Sequence, residues 1–148
     1  MAMMRRHSIF LTFIFFAGLA SNALAAELRV DVKNLRSSDG NVHFAIYSDP
    51  KTFLGKESMV KDIILPVKDK NVEAVFGGLE PGEYALAIFH DENGNREFDQ
   101  GLFGIPLEGY GFSNGAGIFF GPPDFEDAAV KVNKGDSKIS IPMVYFFD

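Results

Sequence analysis

Oxygen-bearing side chains alternate along one short segment of the sequence, and their spacing is suited to binding a hard cation. We call this segment the acidic loop, and its oxygen-bearing residues are Asp91, Asn93, Asn95, Glu97 and Asp99. Ca²⁺ takes about six to eight oxygen ligands, which a tight loop can supply from carboxylate, amide and backbone groups. We therefore expect a Ca²⁺ site here, to which Glu97 would contribute its backbone carbonyl.

The acidic loop differs from an EF-hand loop, which has glycine at its sixth position and a bidentate glutamate at its twelfth. Counted from Asp91, those positions hold Arg96 and Leu102. A more distant acid would have to complete the ligand shell, and Glu108 is our candidate. The alternative is an ordinary acidic surface turn, because Asp, Asn and Gly are the residues that favour turns.

A second candidate site follows Glu108, in a segment where glycines alternate with aromatic and polar residues. Its candidate ligand-binding residues are Tyr110, Phe112, Ser113 and Asn114. Flat aromatic faces, hydrogen-bonding groups and a closely approaching glycine backbone would suit a glycan or peptide ligand. The alternative is a long loop fixed to the domain by aromatic side chains that fill its core.

His90 precedes Asp91 and raises the alternative of a small hydrolase that uses His90, Asp91 and Glu108 in acid–base catalysis. Adjacent residues of a strand point to opposite faces, which argues against their cooperation. A strand-end histidine bonded to backbone is the commoner arrangement. His43 and His90 also lack the spacing of a zinc motif.

Residues 1–25 have the composition of a signal peptide. Arg5 and Arg6 precede the apolar run Ile9–Ala20, which is shorter than the roughly 20 residues of a membrane-spanning helix. We expect cleavage after Ala25, or nearby after Ala26, which leaves no membrane anchor and gives a periplasmic or secreted bacterial protein.

The composition of the chain excludes some kinds of site and makes some classes of partner poor candidates. The absence of cysteine excludes disulfides, thiolate metal sites and lipid attachment to a cysteine. The formal charge is −6, and it becomes −8 when Arg5 and Arg6 leave with the signal peptide. Such an acidic protein is a poor candidate for binding nucleic acid or anionic membranes, and a reasonable one for binding cations.

The rest of the chain is patterned as short strands separated by turns. Alternating or continuous apolar runs predict strands at Leu28–Lys33, Val42–Tyr47, Met59–Val67, Val72–Phe76, Tyr84–Phe89, Ala129–Val132 and Ile139–Ile141. We expect the first two to form a hairpin, the last two to form another, and Tyr84–Phe89 to be central because it is apolar on both faces. Pro142 places the final strand at an edge.

Two sets of motifs resemble known families. The run Phe76–Tyr84 resembles the turn signature of transthyretin-like and collagen-adhesin-B-like sandwiches, in which Gly82 would take the positive φ of a type II turn. Together with the motifs His90–Asn95 and Gly104–Asn114, the chain resembles the exported bacterial family known as domain of unknown function 2141. That resemblance implies an exported sandwich without an assigned activity. Members often carry glycine where this chain has Arg96.

These observations predict one all-β domain over residues 26–148. We expect an antiparallel Greek-key β-sandwich of about seven strands, transthyretin-like or immunoglobulin-like, with one long loop. The favoured function is that of a binding or accessory module with a Ca²⁺-stabilised loop and a glycan or protein partner. The small hydrolase and a purely structural envelope protein remain alternatives.

Overall fold

The computed structural model describes residues 26–147, which form two β-sheets packed around a common core. The expected signal peptide lies outside the described residues. The strands are β1 (Ala26–Lys33), β2 (Asn41–Tyr47), β3 (Lys61–Pro66), β4 (Val72–Leu79), β5 (Gly82–Asp91), β6 (Gly109–Phe112), β7 (Ala129–Val132) and β8 (Ser137–Pro142). One short helix, α1 (Phe125–Ala128), precedes β7, and 3₁₀ turns occupy Pro50–Thr52, Leu102–Gly104 and Ser113–Gly115.

The smaller sheet has the order β4-β1-β8, and the larger has the order β3-β2-β5-β6, with β7 also paired to β5. Buried apolar residues of both sheets form the core between them; among them are Leu28, Val30, Phe44, Phe76 and Ile88. This arrangement confirms the predicted all-β sandwich, with eight strands where the sequence predicts about seven. None of the helices among residues 26–147 is long and apolar enough to cross a bilayer.

Both hairpins predicted from the sequence are wrong. β1 pairs with β4 and β8, whereas β2 pairs with β3 and β5 in the other sheet. β7 pairs with β5, and β8 pairs in parallel with β1, so the fold is not wholly antiparallel. An alternating pattern determines which face of a strand is buried but not which strand it pairs with.

The positions of the two key strands agree with the sequence. β5 is central in the larger sheet, and β8 lies at the edge of the smaller sheet, where Pro142 ends it. Gly82 does not have a positive φ, so the predicted type II turn is wrong. The reason is that Gly82 already belongs to β5 and pairs with Val132.

β6 and β7 lie one after the other along the same edge of β5. β6 pairs with β5 from Ala87 to His90, and β7 pairs with it from Gly82 to Ala85. Residues 113–128 therefore leave the sheet after β6 and return to it at β7. We call this segment the excursion.

Candidate functional site

β5 brings Asp91 to the base of the acidic loop. Strand residues alternate between faces, so His90 points toward the sandwich core while Asp91 shares the outer face with Phe89. On the neighbouring strand β2, His43 stacks on Phe89 with 4.3 Å between ring centroids. Although it faces away from the core, Asp91 is completely buried because its own loop folds over it.

The carboxylate of Asp91 organises the backbone of the loop. Its Oδ1 accepts hydrogen bonds from the N–H groups of Gly94, at 2.7 Å, and Asn95, at 3.1 Å. Its Oδ2 accepts from the N–H of Arg96 at 3.0 Å and lies 3.1 Å from Nε2 of His43. Asp91 is therefore the centre around which the loop folds, and His43 is a partner that the sequence did not indicate.

The pKa of Asp91 reflects two opposing effects. Burial raises it, whereas the hydrogen bonds from the N–H groups of Arg96 and Gly94 and from His43 lower it. The net result is a pKa below the ordinary value, because the hydrogen bonds together outweigh the loss of solvation. Asp91 is therefore an anion held inside the loop.

The two asparagines continue the turn that Asp91 begins. Oδ1 of Asn93 accepts from the N–H of Asn95 at 2.9 Å, and Oδ1 of Asn95 accepts from the N–H of Glu97 at 2.8 Å. Their side-chain amides donate to the carboxylate of Asp99, at 2.6 Å from Asn93. Hydrogen bonds therefore hold four of the predicted ligand residues around one bend, where the side chains of Asn93, Asn95 and Glu97 are exposed.

Arg96 adopts the conformation that glycine has at the sixth position of an EF-hand loop. Its φ is 66°, in the left-handed region that is costly for residues with a Cβ. The side chain of Arg96 is exposed while its N–H bonds to Asp91. The acidic loop therefore has two left-handed residues, Gly94 with φ 76° and Arg96, and only the first is a glycine.

Glu108 reaches the acidic loop from the start of β6. Its side chain is buried, 5 % exposed, and its Oε2 accepts a hydrogen bond from the N–H of Asp99 at 3.2 Å. Its other oxygen, Oε1, is buried and makes no hydrogen bond of good geometry among residues 26–147, although the backbone N–H of Glu92 lies close enough to the carboxyl to lower its pKa in part. Burial raises the pKa of Glu108, and the negative charges of Asp99 and Asp91 raise it further. The structure therefore brings a third carboxylate to the loop with one oxygen unsatisfied.

In the part of the chain that the structure describes, no three His, Cys, Asp or Glu side chains are arranged to hold a metal ion by themselves. A cation at the acidic loop would need amide and backbone oxygens from Asn93, Asn95 and Glu97 in addition to the carboxylates. Such mixed oxygen donors are the ligands that Ca²⁺ accepts, whereas zinc prefers more nitrogen or sulfur ligands than His43 alone could supply.

His90 has both ring nitrogens engaged inside the protein. Nε2 lies 2.7 Å from the carbonyl oxygen of Asp39, which can only accept, so Nε2 carries a proton. Nδ1 lies 2.6 Å from the hydroxyl of Tyr145 and accepts from it when the ring is neutral. Because His90 is completely buried, it has no surface on which a substrate could contact it.

The predicted aromatic ligand site separates into buried and accessible residues. Phe112 and Ser113 are buried, and the Ser113 hydroxyl accepts from the N–H of Leu86 and donates to the carbonyl of Ala128. These two residues therefore hold the excursion against β5. Asn114 is exposed and Tyr110 is half-buried, so only these two could contact a ligand.

An ion-pair network that the sequence did not indicate joins the acidic loop to the end of the described chain. Arg36 donates to both carboxylate oxygens of Glu92 and to the carbonyl of Phe147, and its guanidinium lies 4.4 Å from the ring centre of Tyr145. The hydrogen bond from Arg36 lowers the pKa of Glu92. These contacts join residues far apart in sequence, which no local motif predicts.

Comparison with known proteins gives a family but no activity. A family model described as an uncharacterized protein conserved in bacteria (DUF2141) matches residues 30–140. No curated protein matches the chain. The crystal structure of a fimbrial assembly protein from Parabacteroides distasonis ATCC 8503 is similar at 9 % identity with a TM-score of 0.44. The match covers 82 % of this chain and 53 % of that chain, so this chain spans about half its length.

Proposed function

Because the chain belongs to the uncharacterised bacterial family DUF2141, we propose its function from the geometry of the acidic loop. We propose that the protein is an exported binding or accessory module whose acidic loop takes up Ca²⁺. The ion would be held by Asp91, Asn93, Asn95, the carbonyl of Glu97, Asp99 and Glu108. It would join the loop to the start of β6 and so fix the long connection between β5 and β6.

The observation that carries this proposal is the unsatisfied oxygen of Glu108. A buried carboxylate oxygen without a hydrogen bond is costly, and a cation is the partner that removes the cost most fully. The same cation would offset the repulsion of Glu108 by Asp91 and Asp99, which is part of the reason for its raised pKa. A plain surface turn would not bring a third carboxylate into this position.

The two alternatives, a small hydrolase and a purely structural envelope protein, differ in how well the structure supports them. The hydrolase would depend on His90, which is completely buried with both ring nitrogens hydrogen-bonded inside the protein. The geometry therefore favours binding over this form of catalysis. A purely structural envelope protein would have the same fold and hydrogen bonds but would not respond to Ca²⁺.

The test is thermal unfolding of the protein without residues 1–25, in EDTA and in Ca²⁺ up to 10 mM, together with calorimetric titration. Dissociation constants of extracellular Ca²⁺ modules are about 10⁻⁴–10⁻³ M, so 10 mM Ca²⁺ should stabilise the fold by about 1.4–2.7 kcal/mol. For a domain of this size we expect the melting temperature to rise by about 5–10 °C.

Asp99→Asn is the informative variant, because Asp99 is half-buried at the site and is not the residue that holds the loop backbone. The affinity of this variant for Ca²⁺ should be at least about five-fold lower than that of the parent. Glu97→Gln is the matched control, since this exposed side chain would leave the backbone carbonyl in place. Absence of a Ca²⁺ response in the parent, or an equal response in Asp99→Asn, would reject the Ca²⁺ site.

The export part of the proposal rests on the sequence of residues 1–25 and has its own test. Ala26 is completely buried and pairs with Leu79, so cleavage after Ala25 preserves the whole of β1. We expect the protein recovered from the periplasm or medium of an expressing bacterium to begin at Ala26. Recovery of the uncut chain from the cytoplasm would contradict export.

A further inference from the structure

The excursion forms a surface cleft that lies outside the acidic loop. The cleft has a volume of about 640 Å³, and residues that line it include Gly117, Phe119, Phe120, Pro122, Asp124 and Asp127. Phe119 is 90 % exposed, and Phe120 is completely exposed. Two adjacent exposed phenylalanines beside a cleft offer a large apolar area that a partner could cover.

The frame of the cleft is fixed to the sandwich. Phe125, near the end of the excursion, is buried and packs edge-on against Phe53, with 5.7 Å between ring centroids. The side-chain amide of Asn114 donates to the carbonyl of Asp127 at 2.9 Å, and Ser113 holds the base of the excursion to Leu86. A cleft with an anchored frame costs less conformational entropy to fill than a free loop.

Two carboxylates of the cleft, those of Asp124 and Asp127, are exposed to solvent. Asp124 stands at the start of α1, but within the described chain its side chain makes no capping hydrogen bond. Neither Asp124 nor Asp127 forms an ion pair with any residue in the range 26–147. The cleft therefore combines two exposed carboxylates with two exposed aromatic rings.

We propose that this cleft binds a segment of another protein in which lysine or arginine lies next to apolar side chains. The cationic group would pair with Asp124 or Asp127 and lie over the face of Phe119 or Phe120, which attracts cations through its ring electrons. The apolar neighbours would cover the rest of the two rings. Pro122 and Pro123 limit the backbone motion of the wall, and Gly117 leaves room for the segment.

The charge of the chain supports this choice of partner. Its formal charge of −6 would repel acidic segments and anionic lipid, whereas it would attract a basic segment at long range. This proposal does not depend on Ca²⁺, because none of the candidate ligands of the acidic loop lines the cleft.

The test is fluorescence anisotropy of a dye-labelled, end-capped hexapeptide in which lysine and leucine alternate, in 50 mM salt with EDTA. Peptides that alternate glutamine with leucine, or lysine with serine, separate the contributions of charge and apolar contact. We expect the lysine–leucine peptide to bind about ten-fold more tightly than either. Asp124→Asn/Asp127→Asn should weaken its binding about five-fold, and Phe119→Ala/Phe120→Ala about ten-fold.

Two variants serve as matched controls. Glu126→Gln removes an exposed charge from α1 outside the cleft, and Leu102→Ala/Phe103→Ala removes exposed apolar side chains from another loop. Both should bind the peptide as the parent does, and unchanged melting temperatures would show that all variants fold. Repeating the titration in Ca²⁺ should leave the affinity for the peptide unchanged, whether or not the acidic loop binds the ion.

Four outcomes would overturn the proposal. The first two are failure of the parent to bind the lysine–leucine peptide and equally tight binding of the glutamine–leucine peptide. The third is a loss of affinity in the control variants as large as in the cleft variants. The fourth is sedimentation of the parent as a dimer that Phe119→Ala/Phe120→Ala converts to a monomer, without peptide binding, which would assign the cleft to a second copy of this chain.

Discussion

The hydroxyl oxygen of Ser113 lies 2.8 Å from the backbone nitrogen of Leu86, at the point where β6 has ended and β7 has not yet begun. A break in the strand pairing would leave this buried N–H of β5 without a partner. The hydroxyl replaces the missing carbonyl and donates its own hydrogen bond to the carbonyl oxygen of Ala128, on the other side of the break. One side chain thus bridges the gap in the sheet.

Ser113→Ala should therefore destabilise the fold by about 2–3 kcal/mol, because it leaves the N–H of Leu86 and the carbonyl of Ala128 without a hydrogen bond inside the protein. The measurement is urea unfolding at pH 7. Ser48→Ala, at an exposed position, is the control and should change the stability by less than about 0.5 kcal/mol. A loss in Ser113→Ala no greater than in this control would contradict the bridging role.

Glu108→Gln should show separately how much stability the buried charge of Glu108 costs and what that charge contributes to Ca²⁺ binding. Because the pKa of Glu108 is raised above 4.5, its protonation stabilises the folded state below that value, and this contribution is lost as the pH rises through the folded pKa. In EDTA at pH 7 the variant should therefore equal or exceed the parent, by up to about 1 kcal/mol. Melting temperatures between pH 4.5 and 7.5 should fall less in the variant than in the parent.

The same variant should lose the response to Ca²⁺ at pH 7. A variant that keeps the full Ca²⁺ response would remove Glu108 from the ligand shell. A variant that is much less stable than the parent in EDTA would show that the buried carboxylate is stabilising in its own right.

Asp91→Asn should weaken the fold strongly at neutral pH. The carboxylate accepts hydrogen bonds from the N–H groups of Gly94, Asn95 and Arg96, and an amide would turn an NH₂ group toward some of them. We expect a loss of about 2–4 kcal/mol in the free energy of unfolding in EDTA.

This loss should depend on pH in a defined direction. The folded pKa of Asp91 is lowered from 3.8, so its stabilisation is complete above that value and disappears as the pH falls through the lowered pKa. Urea unfolding at pH 7, 5 and 3 should show the difference between parent and Asp91→Asn shrinking only at the lowest pH. A difference that already shrinks between pH 7 and 5 would contradict the lowered pKa.

Arg96→Gly should stabilise the protein by about 1 kcal/mol, because glycine adopts a φ of 66° without the steric cost that a side chain has there. The backbone N–H that donates to Asp91 is kept. Glu97→Gly is the control at an ordinary φ and should lose about 0.5–1 kcal/mol. Chemical unfolding of both variants provides the comparison, and a loss in Arg96→Gly would show that the arginine side chain contributes contacts of its own.

The positions of the strands could be predicted from the sequence, whereas their partners could not. Alternation in Leu28–Lys33 and Val42–Tyr47 places both runs correctly as strands, because it reflects burial of one face. The turn cluster between them favours a hairpin, yet the chain crosses there from one sheet to the other. At this crossing Asn34 has a φ of 63° and Leu35 is buried. Both features belong to the tertiary structure, and the local sequence did not indicate them.

The candidate site was also predictable in part. The alternating acids and amides indicated the bend at Asp91–Asp99, and the shortage of ligands within it pointed to a distant acid such as Glu108. His43 was not predictable, since its contact with Asp91 depends on the register between β2 and β5. Ser113 was predicted as a ligand-binding residue because of its hydrogen-bonding group, whereas it is completely buried and its hydroxyl bridges the break between β6 and β7.

The parallel pairing of β1 with β8 determines how the molecule would respond to pulling. The N-terminal end of β1 and the C-terminal end of β8 lie at opposite ends of this pair, which is in register from Leu28–Ser137 to Lys33–Pro142. Tension between those ends runs along the strands, so the ladder must shear as a unit instead of opening one bond at a time. A module tethered at both ends would therefore bear mechanical load well.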